Sequence, residues 1–301
     1  MSRSEHAKMR WRTTRDRLTG LFMRTTAFFA IGLTFLIALC LFLRSWPILS
    51  EKSLGHLLLS ASWHPLKGDF GFLPFIMGTL LVTAIAMIIS VPVCLLSAIY
   101  LSEYAHRRLR EAARHVIDIM AAIPSVVYGL WGVILVVPFV RAVGQGMGYQ
   151  TTGYTLLAGG IILAIMASPI IISVSIEVFQ ALSVGLRETA LALGTTKWEM
   201  VKHVVLRSAR RGILSAIILG LARAFGETMA VLMVVGNVAK IPRSIFDPAY
   251  PLPALIANNY GEMMSIPRYD AALLLAALIL LLVVGGFNLI AHLMIMRMER
   301  A

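Results

Sequence analysis

Two charged residues interrupt an otherwise apolar run: Arg223 and Glu227, within Ile213 to Gly236. Arg223 lies ten residues past Ile213, roughly 15 Å along a helix axis and close to the middle of a hydrocarbon core of about 30 Å. A charge at that depth costs from a few to more than about 10 kcal/mol, so it normally faces protein or water and has a function. The i, i+4 spacing predicts that both side chains share one helix face within contact range. Two roles follow. The pair neutralises itself and fixes helix packing, or Arg223 engages an anion, because the guanidinium fork matches a tetrahedral oxyanion. In the second role Glu227 orients Arg223, or partly neutralises it while no anion is present. One arginine cannot balance a doubly charged anion, so a second cation from another subunit is expected.

The second stretch with a specific pattern runs from Leu186 to Leu206. It reads as two short helices broken at Gly194, the residue type that adopts positive φ at a helix end. Thr196 followed by Glu199 is a capping box that starts the second helix. Trp198, Val201, Val204 and Val205 then recur at helical spacing. A helix–glycine–helix element of this kind is either a docking knob for a partner or a surface helical loop.

The elements that must position these residues are long apolar segments. Of 301 residues 58% are hydrophobic and 14% charged, with a mean hydropathy of +0.82; soluble domains are near 45–50% and about 25%. Thr25–Leu43 is uncharged and dense in Phe, Leu and Ile. No Asp, Glu, Lys or Arg occurs between Asp69 and Glu103, from Ile119 to Val140, from Ala142 to Ile176, or from Ala271 to Met296. With Ile213–Gly236 this predicts an all-α, polytopic membrane bundle of about six transmembrane helices. The alternation that a barrel requires is missing.

The net charge of +12 would suit nucleic acid, but the cations alternate between loops. Segments before Thr25, at 102–115, at 179–212 and after Met296 hold 19 Lys/Arg; the intervening ones hold seven. This bias places both termini in the cytoplasm. The first apolar run has no small-x-small site after it, so an uncleaved first helix is expected rather than a signal peptide. Trp46 and Trp63 suit an interfacial belt. Pro242, Pro248, Pro251, Pro253 and Pro267 favour a non-helical crossing at 237–268. Pro92, Pro124, Pro138 and Pro169 fall within spans and can kink them. Cys40 and Cys94, in separate apolar runs, read as buried small hydrophobes.

ATP hydrolysis by this chain is excluded, since a P-loop needs Gly-Lys-Ser/Thr and none of the six lysines follows a glycine. No His-Glu-x-x-His occurs among the seven histidines, and no metal ligand set is expected. An ion-driven secondary transporter would carry several intramembrane acids and inverted repeats, and only one mid-helix acid is evident.

Glu188-Thr189-Ala190, three residues, Gly194, then nine residues before Val204-Val205-Leu206 resembles the EAA loop of ABC-importer permeases. Thr189 stands where that pattern has alanine and Arg207 where it has proline. Arg223 to Val231 with Gly236-Asn237, Asp118 to Gly132, and Ser97 to Tyr104 are similar to the PstC group of phosphate-importer permeases. The resemblance implies a MetI-like, type I ABC-importer core at 71–297, with an ATPase-docking loop at 179–212 carrying Glu188, Ala190, Gly194, Thr196, Trp198, Glu199 and Leu206. Residues 1–70 would be a basic cytoplasmic tail, a first helix and an outside segment. It implies a bacterial inner-membrane permease that forms half of a phosphate pathway, with Arg223 and Glu227 along it. The partners implied are a PstA-like second permease, a PstB-like ATPase homodimer that uses ATP and Mg, and a PstS-like phosphate-binding protein. This chain itself would bind no cofactor. Sulfate, molybdate or phosphonate remain alternative oxyanions, and Asp118, near a helix end, suits packing or capping.

Overall fold

The computed structural model describes residues 3–261 and 268–300, with side chains described for 16–261 and 268–297. Apart from one two-stranded hairpin the described chain is helical. Helix α1 (Arg3–Glu51) and the short α2 (Leu54–Leu59) lead into β1 (Trp63–His64) and β2 (Asp69–Phe70), which pair antiparallel. Then come α3 (Leu73–Tyr104), α4 (Arg107–Ala122), α5 (Ser125–Gly146), α6 (Leu156–Ala181) and α7 (Val184–Ala192). Helix α8 occupies 197–226, followed by α9 (Met229–Val234), α10 (Leu252–Asn259) and α11 (Tyr269–Arg300).

Five helices among the described residues are long and apolar enough to cross a membrane: within α1 (Asp16–Glu51), then α3, α5, α6, and within α11 (Tyr269–Arg297). The sixth apolar run, 213–236, is not one helix. Helix α8 stops at Gly226, Glu227 is extended (φ −79°, ψ 131°), and α9 restarts at Met229. The run expected from Ile119 is also divided. Pro124 disfavours helical backbone at the residue before it, and Ile123 is extended (φ −65°, ψ 128°), so residues 119–122 close α4 and the span begins at Ser125. Pro92 and Pro169 stay inside continuous helices. Pro47 does too, so α1 runs past Leu43 to Glu51.

Three other expectations change. Cys94 is buried but Cys40 is exposed on α1. Trp63 is not a belt residue: it packs edge-on against Phe70, Phe72, Phe75 and Tyr269. The segment after Asn237 contains a helix, because Pro251 and Pro253 sit at the start of α10, where a missing N–H costs nothing. Pro267 lies outside the described residues.

Helices α3 and α6 form the central pair. Gly160 makes it possible, since a Cβ there would stand 2.3 Å from the Ile85 side chain. Three apolar layers sit along the bundle. At the hairpin end Ile48, Leu57, Phe70, Leu252, Leu255 and Leu273 pack together, which ties the first 70 residues to α10 and α11. Midway, Tyr128, Ile162, Met166, Ala230 and Val234 join α5, α6 and α9. At the other end Ile99, Ile117, Phe179, Ala190, Val201 and Val205 join α3, α4 and α6 to the α7–α8 loop.

Candidate functional site

Arg223 lies in the last turn of α8, where the backbone's partial negative charge favours a cation. Its Nε donates to the Met166 carbonyl at 3.1 Å. That carbonyl is three residues before Pro169, whose ring disturbs the preceding turn of α6. Among the described residues the two terminal guanidinium nitrogens have no partner, and the side chain is exposed.

Glu227 goes elsewhere. Its Oε1 accepts from the N–H groups of Thr228 (3.1 Å) and Ala230 (3.4 Å), satisfying donors at the start of α9. Among the described residues Arg223 and Glu227 form no ion pair, which overturns the expectation of one shared helix face in contact range. The i, i+4 rule presupposes an unbroken helix, and the extended backbone at Glu227 removes that condition. Each charge is matched instead to the helix end beside it.

The break is held in place by α5. A Cβ on Gly129 would meet Met233 Sδ at 2.6 Å and Ala230 Cα at 3.1 Å; one on Gly132 would meet Val234 Cγ1 at 2.8 Å. These two glycines, on one face of α5, admit α9 at close range. Tyr128 Oη donates to the Met120 carbonyl at 2.8 Å, satisfying the end of α4 across the Pro124 break. A cavity of about 300 Å³ lined by Met120, Ile123, Tyr128, Trp131 and Ile165 adjoins this break. Asp118 lies near the end of α4, beside a second cavity of about 240 Å³ shared with Arg114 and Glu177.

The α7–α8 loop is locally specified. Gly194 ends α7 with φ +83°, its N–H donating to the Leu191 carbonyl at 3.0 Å. Thr195 Oγ1 donates to the Ala190 carbonyl at 2.8 Å. Thr196 and Glu199 form the capping box: the Glu199 N–H donates to Thr196 Oγ1 (3.3 Å) and the Thr196 N–H to Glu199 Oε2 (2.8 Å). The Thr196 N–H, and after it the hydroxyl, hold the Glu199 carboxyl below the usual glutamate range. Thr189 replaces an alanine without cost, being exposed and donating to the Gly185 carbonyl at 2.8 Å. Past the loop no proline intervenes, and the chain from Lys197 to Gly226 is one helix with a π turn at Met200–Val205.

The residues expected to dock a partner divide by exposure. Glu188, Gly194, Thr196, Trp198 and Glu199 are exposed; Ala190 is buried and Leu206 half-buried against the core beneath the loop. Ala190 and Leu206 therefore seat the loop on its own bundle. Leu193, 80% exposed, and Val184, 66% exposed, join Trp198, 52% exposed, on the outer surface. Sequence reading passed over Leu193 and Val184; their signal was an apolar residue flanking a helix end with no periodic partner. It also passed over Arg187 and Glu103. Arg187 Nη2 lies 2.8 Å from Glu103 Oε1, and both side chains are largely buried.

Residues 90–300 match the family model described as binding-protein-dependent transport system inner membrane component. The phosphate transport system permease protein PstC of Xylella fastidiosa is 38% identical over 256 residues, covering 80% of this chain and 78% of that protein. PstC of Mesorhizobium japonicum is 35% identical over 324 residues, covering 99% and 98%. Among solved structures, an inward-facing MetNI methionine ABC transporter matches with a TM-score of 0.52 at 18% identity, over 80% of this chain and 95% of that one. A bacterial alginate ABC transporter matches with a TM-score of 0.57 at 17% identity, over 91% and 96%. The structural matches bear on the fold alone.

Proposed function

Because the chain belongs to the binding-protein-dependent transport system inner membrane components, the permeases of ABC importers, we propose that it forms half of an ATP-driven translocation pathway for inorganic phosphate. The observation that carries this reading is the Arg223 side chain. One nitrogen is anchored on the Met166 carbonyl and two face outward without a partner, so an unneutralised fork of donors is presented at mid-span. Such a fork matches a tetrahedral oxyanion in geometry and charge. The relatives named as phosphate transport permeases support phosphate as that oxyanion.

A second, PstA-like permease supplies the other half of the pathway and the further cation that a doubly charged anion needs. A PstS-like binding protein delivers phosphate from outside, and a PstB-like ATPase homodimer uses ATP and Mg. This chain binds neither. The ATPase docks on Glu188, Gly194, Thr196, Trp198 and Glu199, with Leu193 and Val184 completing an apolar surface. Residues 71–297 form the permease core and α1 a peripheral addition. The chain is a multi-pass inner-membrane protein, and the distribution of its cations puts both termini and the docking loop in the cytoplasm.

The test is uptake of radiolabelled phosphate by cells lacking and then regaining this chain, with sulfate as competitor. Restored uptake that excess sulfate leaves intact is expected. Restoration abolished by sulfate would reassign the oxyanion, and no restoration would sink the reading.

A further inference from the structure

The α7–α8 loop is fastened to more than its own helix. Arg187, on α7 one residue before Glu188, uses all three guanidinium nitrogens. Nε and Nη2 donate to the Glu103 carboxylate at 3.2 and 2.8 Å. Nη1 donates to the Leu182 carbonyl at 2.9 Å, and Nη2 also to the Phe179 carbonyl. Leu182 and Phe179 close α6; Glu103 belongs to the π turn Tyr100–Tyr104 that closes α3. The Arg187 and Glu103 side chains are 18% and 6% exposed, so the pair is shielded from the screening that weakens surface ion pairs. The second helix of the loop reaches the same turn, with Lys197 Nζ 4.7 Å from the centre of the Tyr104 ring.

We propose that the π turn Tyr100–Tyr104 is a second transmission point, at which the Arg187–Glu103 pair passes motion of the docking loop directly to α3. Helix α8 is the other route, being continuous from the loop to Arg223. Because α3 and α6 form the central pair of the bundle, a loop stapled to both their ends moves them together. Arg187 and Glu103 are positioning residues, since neither lies near Arg223. The inference rests on the permease reading above but not on the identity of the solute.

The test uses the whole transporter in lipid vesicles, with an environment-sensitive fluorophore on Leu96→Cys of α3 in a Cys40→Ala, Cys94→Ala background. A non-hydrolysable ATP analogue is expected to shift the emission. The shift should fall at least several-fold in Arg187→Lys and in Glu103→Gln, while the ATPase subunit still co-purifies. Arg187→Lys keeps the charge but not the three-way fork. Glu103→Gln keeps the shape but not the charge, so agreement between them excludes simple misfolding. Equal shifts in parent and variants, no shift in the parent, or loss of the ATPase subunit would each overturn the proposal. Fluorescence needs no transported solute, so a failure of phosphate selectivity would show separately, in the uptake assay.

Discussion

Arg223 and Glu227, four residues apart, are separated by a helix break rather than joined by a helix turn. The guanidinium donates back to Met166 on α6, while the carboxylate accepts from the first amides of α9. The positive charge is therefore left open, and the two residues have separate roles that separate substitutions can test.

Arg223→Ala is expected to lower phosphate uptake by about 10- to 100-fold, the equivalent of losing a charge-assisted hydrogen bond of ~1.5–3 kcal/mol. Membrane insertion and assembly should be normal. Arg223→Lys should fall between, since it keeps the charge and loses the fork. Uptake at the parental rate in the alanine variant would remove Arg223 from the pathway.

Glu227→Gln retains an acceptor for the Thr228 and Ala230 amides, so uptake should stay within a few-fold of the parent. Glu227→Ala removes that acceptor, at a cost typical of lost helix caps, ~1 kcal/mol. Hydrogen exchange at Ala230 should accelerate in the alanine variant and not in the glutamine variant. Abolished uptake in Glu227→Gln would mean that the carboxylate's charge is needed.

At Gly194 a Cβ would meet nothing within 4 Å, but φ is +83°. The cost of substitution is conformational, roughly 1–2 kcal/mol for an ordinary L residue, and smaller for asparagine, which tolerates this region. Co-purification of the ATPase subunit should weaken in Gly194→Val and largely survive in Gly194→Asn. Equal loss in both would implicate an added side chain at the interface rather than the turn.

Gly129→Val would press on the Ala230 backbone and on Met233. Overpacking of this kind costs ~1–3 kcal/mol, read as a lowered unfolding temperature of the detergent-purified chain. Adding Met233→Ala should recover part of that loss, because the sulfur is one of the two obstructions and the backbone is the other.

The Glu199 carboxyl is held low by Thr196. A depressed carboxylate stabilises the fold above its unfolded value and ceases to as pH falls through the folded one. The first turn of α8 should thus be intact at neutral pH and fray as pH drops from about 4.5 into the lowered range. Amide exchange at Glu199, corrected for intrinsic rates, should show this, and Glu199→Gln should remove the pH dependence. A dependence that persists in the glutamine variant would place its origin in another group.

What the sequence determined by itself is what depends on neighbours along the chain. Apolar runs set the spans, because hydrocarbon admits little else. Gly194 and the Thr196–Glu199 box set the loop, because a left-handed turn and a cap are local. Pro124 marked a break of the same kind, though reading the run from Ile119 as one span overlooked it. What only the tertiary structure decided is where charged and small side chains turn when several partners compete. Glu227 had both Arg223 and the α9 amides within reach, and the close approach of α9 to Gly129 and Gly132 settled the choice. Glu103 and Arg187, 84 residues apart, carry no mutual signal along the chain; the pairing of α3 with α6 brings them together. Ala190 read as part of a docking motif, and burial on the bundle made it a seat for the loop.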